Sequence, residues 1–428
     1  MQILMIYFLL VTFWLEQAWD FKLTHIEGLS LMNVSLLILL VLWFVKIVRQ
    51  GGRVLEYNNI NKYILFLIYL LIISIPVKFI HSEVRNISIL QDMVALKSWI
   101  NPLIIFFILY NIIQDEDTCK RVMLGLIVFL IVTVLSTQIA AFGLIDFLSD
   151  KMIKNGRVAG FVEPNQYASY IVLFVPLILT QFLNYKNVLS RAAITILLVM
   201  ILYDLIASGS RGGFLSFLVS MAVYLFLLYR QREIRLRGLV GLLTVLLIIG
   251  VASFKWTQTR TDATVFDRFD ISKADDLNDY TAGRLKILEK GIALFKKSPI
   301  FGHGHQSYDY LMKKEFGNAP NTHNDYLLYL VENGIAGFLA FILLYLAIFR
   351  NVYKQFRRNN PDWVIKFYIS YLAGFAGYAF SMLTVNIFSP RYLFWIYTAI
   401  IYKYIQLYSN TTLKADILSV GEPLWGKN

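Results

Sequence analysis

The sequence predicts an all-α membrane protein with about twelve spans, from its composition and from the lengths of its apolar runs. Of 428 residues, 57% are hydrophobic and only 16% are charged, whereas soluble chains are nearer half apolar and a quarter charged. The apolar residues recur in runs of about 20, the length that a helix needs to cross a bilayer. The predicted spans are residues 3–19, 29–48, 63–80, 93–113, 122–143, 166–183, 192–208, 211–229, 236–254, 325–349, 363–388 and 391–408.

The net charge of +12 fits the same fold. A basic chain can indicate nucleic acid, but a membrane protein collects Lys and Arg in its cytoplasmic connections. Alternate connections of this chain are rich in Lys and Arg, and the short connections between them are poor. We therefore expect both termini in the cytoplasm and no nucleic-acid partner.

Two further features narrow the class of protein. The single cysteine, Cys119, excludes an internal disulfide and a cysteine-based metal cluster. The first span lacks a basic start and a clear small-residue cleavage site, so we expect a retained helix rather than a removed signal peptide.

One long polar connection stands out, and the orientation above places it on the outer face between spans nine and ten. It divides the chain into four parts. These are N-terminal spans 1–145, spans 146–254, the external catalytic loop 255–324, and C-terminal spans with a cytoplasmic tail, 325–428.

A helix is predicted inside this loop, from Thr281 to Lys297, because Leu285, Leu288, Ile292 and Phe295 recur at helical spacing. It either lies along the membrane surface or packs on the bundle as a small cap. The acidic, irregular stretch before it, from Asp262 to Asp279, is expected to form a mobile lid.

Four ionisable residues fall inside predicted spans, where a charge is costly unless it is paired or hydrated. They are Glu16, Lys97, Asp204 and Glu332. All four lie in the outer halves of their spans and so predict a hydrated cavity that opens outward. The alternative for each is a side chain that reaches the interface.

Arg211 lies in a turn of small residues, 208–213, between spans seven and eight. Glycines allow a sharp turn and close approach of a ligand, and a helix N-terminus favours anions. Because guanidinium grips phosphate oxygens in bidentate fashion, Arg211 predicts a diphosphate site. The alternative is a tight hairpin anchored to lipid headgroups.

Other polar residues are candidates on the same outer face. Arg284 follows Gly283, and Arg157 and Arg391 are placed at the outer ends of helices. Each can instead be ordinary surface charge, which is the more common explanation for Arg391. The run from Gly160 to Asn165, which contains Glu163, predicts a turn into a helix start, where a carboxylate is usually a polar cap.

Three histidines fall in the loop. His303 and His305 lie in a glycine-rich turn and are weak evidence for a metal site, so none is predicted. His323 follows Pro320-Asn321-Thr322 directly before span ten. With an unperturbed pKa of about 6.5 it can accept a proton near neutral pH, which suits a general base for a hydroxyl nucleophile. A helix cap is the alternative.

Two motifs together resemble the O-antigen ligase and O-antigen polymerase superfamily. They are Ser-Gly-Ser-Arg-Gly-Gly-Phe at 208–214 and Pro-Asn-Thr-His-Asn-Asp-Tyr-Leu at 320–327. The run 157–165 and the Gly-Arg at 283–284, followed by Pro-Ile-Phe-Gly-His-Gly at 299–304, are also similar. The resemblance covers about residues 150–350, and the N-terminal spans match only in hydropathy.

The resemblance implies a bacterial inner-membrane glycosyltransferase with a glycosyltransferase C-like arrangement, acting on the periplasmic or external face. Its donor is a polyprenyl-diphosphate-linked oligosaccharide, and it needs no metal, nucleotide sugar or other cofactor. Arg211 and Arg284 would bind the donor diphosphate, and His323 would activate the acceptor hydroxyl. Arg157, Glu163, Asn165 and Asn324 are the further substrate-binding candidates. Arg211, Arg284 and His323 are expected to converge around one water-accessible cavity.

Three functions remain open at this point. A polymerase of O-antigen, capsule or exopolysaccharide would pass the glycan to another lipid-linked unit, with a chain-length regulator as an optional partner. A ligase would pass it to lipid A-core. A polysaccharide flippase or transporter would also have twelve spans, but we expect such a protein to show two similar halves, and no half-repeat is visible.

Overall fold

The computed structural model describes residues 2–19, 30–50, 56, 58–80, 89–231, 252, 268, 276, 281–358, 360–387 and 390–420. Within these ranges the chain forms long helices, a few short ones and one small hairpin. The elements are α1 (Gln2–Trp19), α2 (Leu31–Gln50), α3 (Asn61–Ile80), α4 (Ile89–Ile112), α5 (Glu116–Ala141), α6 (Asp146–Met152), β1 (Ile153–Lys154), β2 (Arg157–Val158), α7 (Pro164–Asn184), α8 (Val188–Ala207), α9 (Arg211–Arg230), α10 (Arg284–Lys297), α11 (Tyr308–Phe316), α12 (Asp325–Phe356), α13 (Asp362–Ser381) and α14 (Pro390–Val420).

Eight of these helices are long and apolar enough to cross a membrane, by length and composition: α2, α3, α4, α5, α7, α8, α9 and α12. Helices α1, α13 and α14 lie where the sequence predicts further spans. The predicted span 236–254 and most of the stretch 262–279 lie outside the described residues. The all-α membrane class is therefore supported, and the number of twelve spans stays a prediction.

A short hairpin is the exception to the helical pattern. Ile153 and Lys154 pair antiparallel with Val158 and Arg157. Asn155 and Gly156 form the turn with positive φ of 52° and 66°, which is the turn chemistry that two-residue hairpins favour. The placement of Arg157 at a helix end was wrong, because this hairpin carries it.

The core beneath the site is formed by α7, α9 and α13. Nearly every residue of α7 is buried, and α13 packs on both other helices. Gly374 lies directly on the backbone oxygen of Leu173, and a side chain at Gly377 would meet Val172 and α9. Small residues let helix backbones approach closely where lipid supplies no hydrophobic drive for association, so this contact gives the site a rigid floor.

Helix α12 is broken at Gly334, whose φ of 62° and ψ of −166° are not helical. The loop from Pro299 to Gly304 fills the break: Gly304 N donates to Glu332 O at 2.9 Å and Ile335 N donates to Pro299 O at 2.8 Å. Irregular backbone at such a break is tolerated only where protein or water satisfies its polar groups. This part of the long loop therefore inserts between the two halves of α12 and is part of the helical bundle.

Helix α10 begins at Arg284 rather than Thr281, and it packs on α12 through a face that the sequence reading did not single out. Its buried residues are Ile287, Gly291 and Leu294, and Gly291 lies against Leu327. The apolar residues expected to act together are mostly exposed (Leu285, Leu288 and Ile292, with Phe295 half-buried). The helix thus caps the bundle and also keeps an apolar outer face.

Candidate active site

The turn between α8 and α9 positions Arg211. Gly209 has a φ of 59°, and Ser210 Oγ accepts a hydrogen bond from Gly213 N at 3.1 Å, which caps α9. The two glycines after Arg211 serve packing: a side chain on Gly212 would collide with Thr384, and one on Gly213 with Ala168. Gly209 makes the turn, while these two dock the helix start on its neighbours.

Arg157 joins this turn from the hairpin. Its Nε donates to Ser208 O at 2.6 Å, and its Nη2 donates to Asn165 Oδ1 at 3.2 Å. Asn165 Nδ2 in turn donates to Glu163 Oε1 at 3.3 Å. Glu163 is the N-cap residue of α7 but makes no side-chain cap, so its carboxylate faces the arginine network instead. Three predicted substrate-binding residues thus lie in one hydrogen-bonded group.

Arg268 is a site residue that sequence reasoning missed. Arg211 Nη1 donates to Arg268 O at 2.9 Å, and Arg268 Nη1 donates to Gly209 O at 3.0 Å. Arg211 thus holds the backbone of Arg268, and Arg268 holds the backbone of the turn at Gly209. In the sequence Arg268 lies between Asp267 and Asp270 and looked charge-balanced, which hid it within a stretch assigned as a lid.

The arginines form one electrostatic group around the turn. Burial, and then Arg268, lower the pKa of Arg157 to about 10, against Glu163, which raises it. Burial, Arg211 and Arg268 likewise lower the pKa of Arg284, and burial and Arg211 lower that of Arg268. Because the guanidinium group is not deprotonated in proteins, the site concentrates positive charge that a bound anion would stabilise.

His323 lies in the turn before α12, within the field of the same group. Its φ is 48°, and its backbone N donates to Asn321 Oδ1 at 3.0 Å. Burial, and then Arg284, lower the pKa of its ring, against Glu163, which raises it. A lowered pKa favours the neutral imidazole, which is the form that can accept a proton. Its Nδ1 is buried and has no hydrogen-bond partner among the described residues.

Asn324 is occupied as a helix cap, because its Oδ1 accepts from Leu327 N at 3.0 Å. Its substrate-binding role stays a prediction, for which its amide nitrogen and the second lone pair of Oδ1 remain available.

The turn that carries His323 is fixed by a buried polar network behind it. Asp325 accepts from Asn386 Nδ2 and from Ile387 N, both at 3.1 Å, and lies 3.6 Å from Arg391 Nη2. Thr322 Oγ1 donates to Asn386 Oδ1 at 2.6 Å. Arg391 is 6% exposed, so its assignment to the surface was wrong: it is a buried partner of Asp325.

The two histidines of the glycine-rich turn anchor the loop in the break of α12. Both are buried. His303 Nε2 lies 2.9 Å from Leu294 O, and His305 Nδ1 lies 3.5 Å from Glu332 Oε2. These contacts give both residues a structural role.

The four charges predicted inside spans do not share one cavity. Asp204 is fully buried and accepts from Tyr167 Oη at 2.7 Å and Gln138 Nε2 at 2.6 Å. Glu16 accepts from Met32 N at 3.0 Å and interacts with Lys97. Of the four, Glu332 lines a polar cavity beside the His323 turn. Arg211, Arg284 and His323 do not line that cavity, and the single cavity expected around these three residues stays a prediction.

The stretch that contains most of these residues has a known counterpart. Residues 196–342 match the family described as O-antigen ligase (Wzy_C). The predicted resemblance to the O-antigen ligase and O-antigen polymerase superfamily is confirmed. The matched range contains Arg211, Arg268, Arg284 and His323, whereas Arg157 and its two partners on α7 precede it.

Two similar proteins extend the match along the chain. An uncharacterized protein of Haemophilus influenzae is 27% identical over 191 residues, which are 42% of this chain and 47% of that protein. The teichuronic acid biosynthesis protein TuaE of Bacillus subtilis is 21% identical over 315 residues, which are 69% of this chain and 63% of that protein. The chain thus spans less than two thirds of either relative. The family description and the name of TuaE both refer to the synthesis of bacterial surface polysaccharides.

Proposed function

We propose that the chain is a metal-independent glycosyltransferase that moves a glycan from a polyprenyl-diphosphate donor to a sugar hydroxyl of an acceptor. The observation that carries this proposal is the group of four guanidinium ions around one turn, Arg157, Arg211, Arg268 and Arg284, which acts on His323 through Arg284 and lowers its pKa. Glu163 is the carboxylate whose charge acts on Arg157 and Arg284 in this group. The four arginines would stabilise the negative charge of a diphosphate leaving group.

The reaction divides between the two parts of the site. As the bond from the anomeric carbon to the diphosphate oxygen breaks, its electron pair moves to the diphosphate, and fixed cations aimed at that charge are usually the largest catalytic contribution. The acceptor oxygen forms the new bond and gives its proton to His323, and a positioned base contributes about 10²–10⁴-fold. Attack opposite the diphosphate inverts the anomeric centre.

The substrate also determines where the protein works. A polyprenyl tail must stay in lipid while its sugars reach water, which suits a site at the end of a helical bundle. Together with the Lys and Arg pattern, this favours a bacterial inner membrane, cytoplasmic termini and a periplasmic or external active site.

The acceptor distinguishes two forms of this function. We place polymerase of O-antigen, capsule or exopolysaccharide first, because acceptor choice lies outside the shared motifs and polymerases serve more kinds of surface polysaccharide. The family description favours the second form, a ligase that passes glycan to lipid A-core. A flippase has less support, because it gives no role to a histidine base beside the arginines.

The test is glycan transfer by purified protein in lipid nanodiscs, with a lipid-linked donor and either a second lipid-linked unit or a lipid A-core acceptor. We expect a ladder of products with the first acceptor for a polymerase, and a single addition to the second for a ligase. Arg211→Ala should abolish both reactions, and His323→Ala should slow both about 10²–10⁴-fold. Arg230→Ala, at the other end of α9, is the matched control and should behave as wild type. Equal transfer by all four proteins would overturn the enzyme proposal.

A further inference from the structure

A polar cavity of about 150 Å³ lies directly behind the turn that carries His323. Its walls come from α4, the loop around α11, α12 and the connection before α14. It is lined by Trp99, Gln306, Tyr308, Asp309, Ala319, Asn321, Thr322, Leu328, Glu332 and Asn386. At about 30 Å³ for each water in the liquid, it has room for about five waters or one sugar ring.

The polar groups in this cavity make it a built site rather than a packing defect. Tyr308 is 1% exposed, and its hydroxyl has no hydrogen-bond partner among the described residues. Glu332 is 4% exposed. Burial, and then Glu332, raise the pKa of Asp309. A buried hydroxyl without a partner is costly unless a ligand satisfies it. Glu332 is held by His305 at 3.5 Å and Asp309 is exposed at the cavity mouth, so both carboxylates can still accept hydrogen bonds from a ligand.

Trp99 supplies a fixed aromatic wall. The guanidinium of Arg391 lies 3.8 Å from its ring centroid, and His305 meets it edge-on at 6.2 Å. An aromatic face combined with a few convergent hydroxyl, amide and carboxylate groups is typical of a site for a small polyhydroxylated ligand.

We propose that this cavity binds one ring of the acceptor glycan, an uncharged or amino sugar, and presents its hydroxyl to His323. The proposal rests on the proposed function and names the substrate class at its acceptor side. None of the described residues that line the cavity is Lys, Arg or His, and two are carboxylates. His305 contacts Glu332 and Arg391 lies on Trp99, but neither residue lines the cavity itself. We therefore expect the two lining carboxylates to disfavour a sugar carboxylate, as in a uronic acid, and to stabilise hydroxyls and an ammonium.

The position of the cavity favours acceptor over donor. Its lining includes Asn321 and Thr322, the two residues that lead to His323, but none of the four arginines. A donor sugar has to lie with its anomeric carbon beside the diphosphate, and hence beside the arginines. A ring in the cavity lies on the side of the base instead, where the attacking oxygen belongs.

Binding can be measured without any transfer, by saturation-transfer NMR on the full chain in nanodiscs with millimolar glucosamine, N-acetylglucosamine or glucuronic acid. We expect signals from the first two sugars and none from glucuronic acid. Tyr308→Phe removes only a hydroxyl without a protein partner, so folding is retained while the affinity should fall several-fold. Asp309→Asn should weaken glucosamine about tenfold, as expected for one hydrogen bond to a charged group. Glu289→Gln, an exposed carboxylate on α10, should change nothing.

Transfer kinetics separate this proposal from the proposed function. Asp309→Asn should raise the KM for acceptor about tenfold and leave the KM for donor unchanged. Arg211→Ala should stop transfer but keep glucosamine binding. Equal binding of glucuronic acid, or unchanged binding in both cavity variants, would overturn the acceptor site even if transfer depends on Arg211. A different result would uphold the cavity and overturn the glycosyltransferase: sugar binding that depends on Tyr308 and Asp309, together with transfer that Arg211→Ala leaves unchanged.

Discussion

The two sides of the candidate site differ in charge and in origin. The arginine side is positive, and Arg211 and Arg157 meet at one short turn, Ser208 to Ser210. The cavity side carries carboxylates, and its walls come from segments far apart in the chain. His323 lies between them, because its pKa responds to Arg284 while the two residues before it line the cavity. The difference separates leaving-group stabilisation from recognition of the attacking sugar.

The largest effect on the transfer rate is expected from His323, which lies between the arginine side and the cavity side. His323→Ala should lower the transfer rate about 10²–10⁴-fold, the contribution of a positioned base, while binding of donor and of free glucosamine both stay within twofold. Loss of donor binding or of glucosamine binding would mean that His323 is part of that binding site rather than a base that acts between the two.

The next largest effect is expected from the arginine side, where Arg284 can be tested by the transfer rate and by its pH dependence. Arg284→Gln should lower the rate about 10²–10³-fold, as does loss of one donor to a developing oxyanion, and should leave glucosamine binding intact.

In the wild type, transfer should fall as the pH drops through the lowered pKa of His323, because the base becomes protonated. Since Arg284 lowers that pKa, its removal should move this acid limb to higher pH. An acid limb that does not move would separate Arg284 from His323.

Arg391 tests whether its buried ion pair with Asp325 stabilises the turn beside the cavity. Arg391→Met should destabilise the protein by about 3–5 kcal/mol, because it leaves the Asp325 carboxylate buried without its ion pair. Thermal unfolding in nanodiscs measures this, with Arg230→Met as the exposed control, expected to cost about 0–1 kcal/mol. Similar losses for both would show that the Asp325 pair is not what fixes the His323 turn.

A smaller effect is expected where the loop enters α12. Gly302 and Gly317 both have positive φ, 71° and 77°, but a side chain on Gly302 would lie 2.5 Å from the backbone of Glu332, whereas Gly317 has open space. Gly317→Ala should cost about 1–2 kcal/mol for the left-handed backbone alone, and Gly302→Ala should cost more. Equal costs in thermal unfolding would argue against the docked loop.

The sequence predicted those parts of the site that local chemistry encodes. Arg211 in its glycine turn, Arg284 after Gly283 and His323 before a helix could be picked out because spacing and residue type suffice. Arg268 could not, because its neighbours neutralise it in the sequence and only folding brings its carbonyl to Arg211. The cavity was also missed: its lining residues meet only in three dimensions, and Arg391 looked like surface charge until Asp325 was placed beside it.

The fold shows the same limit. Hydropathy found the long helices, since apolar length is a local property. The packing face of α10 was not identified from the sequence, because both Leu285 and Ile287 lie at helical spacing with other apolar residues and only contact with α12 decides between the two faces.

The central claim is that the arginines at the turn bind the donor diphosphate, and binding of a polyprenyl diphosphate to the protein in nanodiscs tests it most directly. Wild type and Arg230→Ala should bind alike. The Arg211→Ala/Arg284→Ala double variant should bind at least about 100-fold more weakly, as expected when two charge-assisted contacts are lost. Equal affinities for all three proteins would contradict the account.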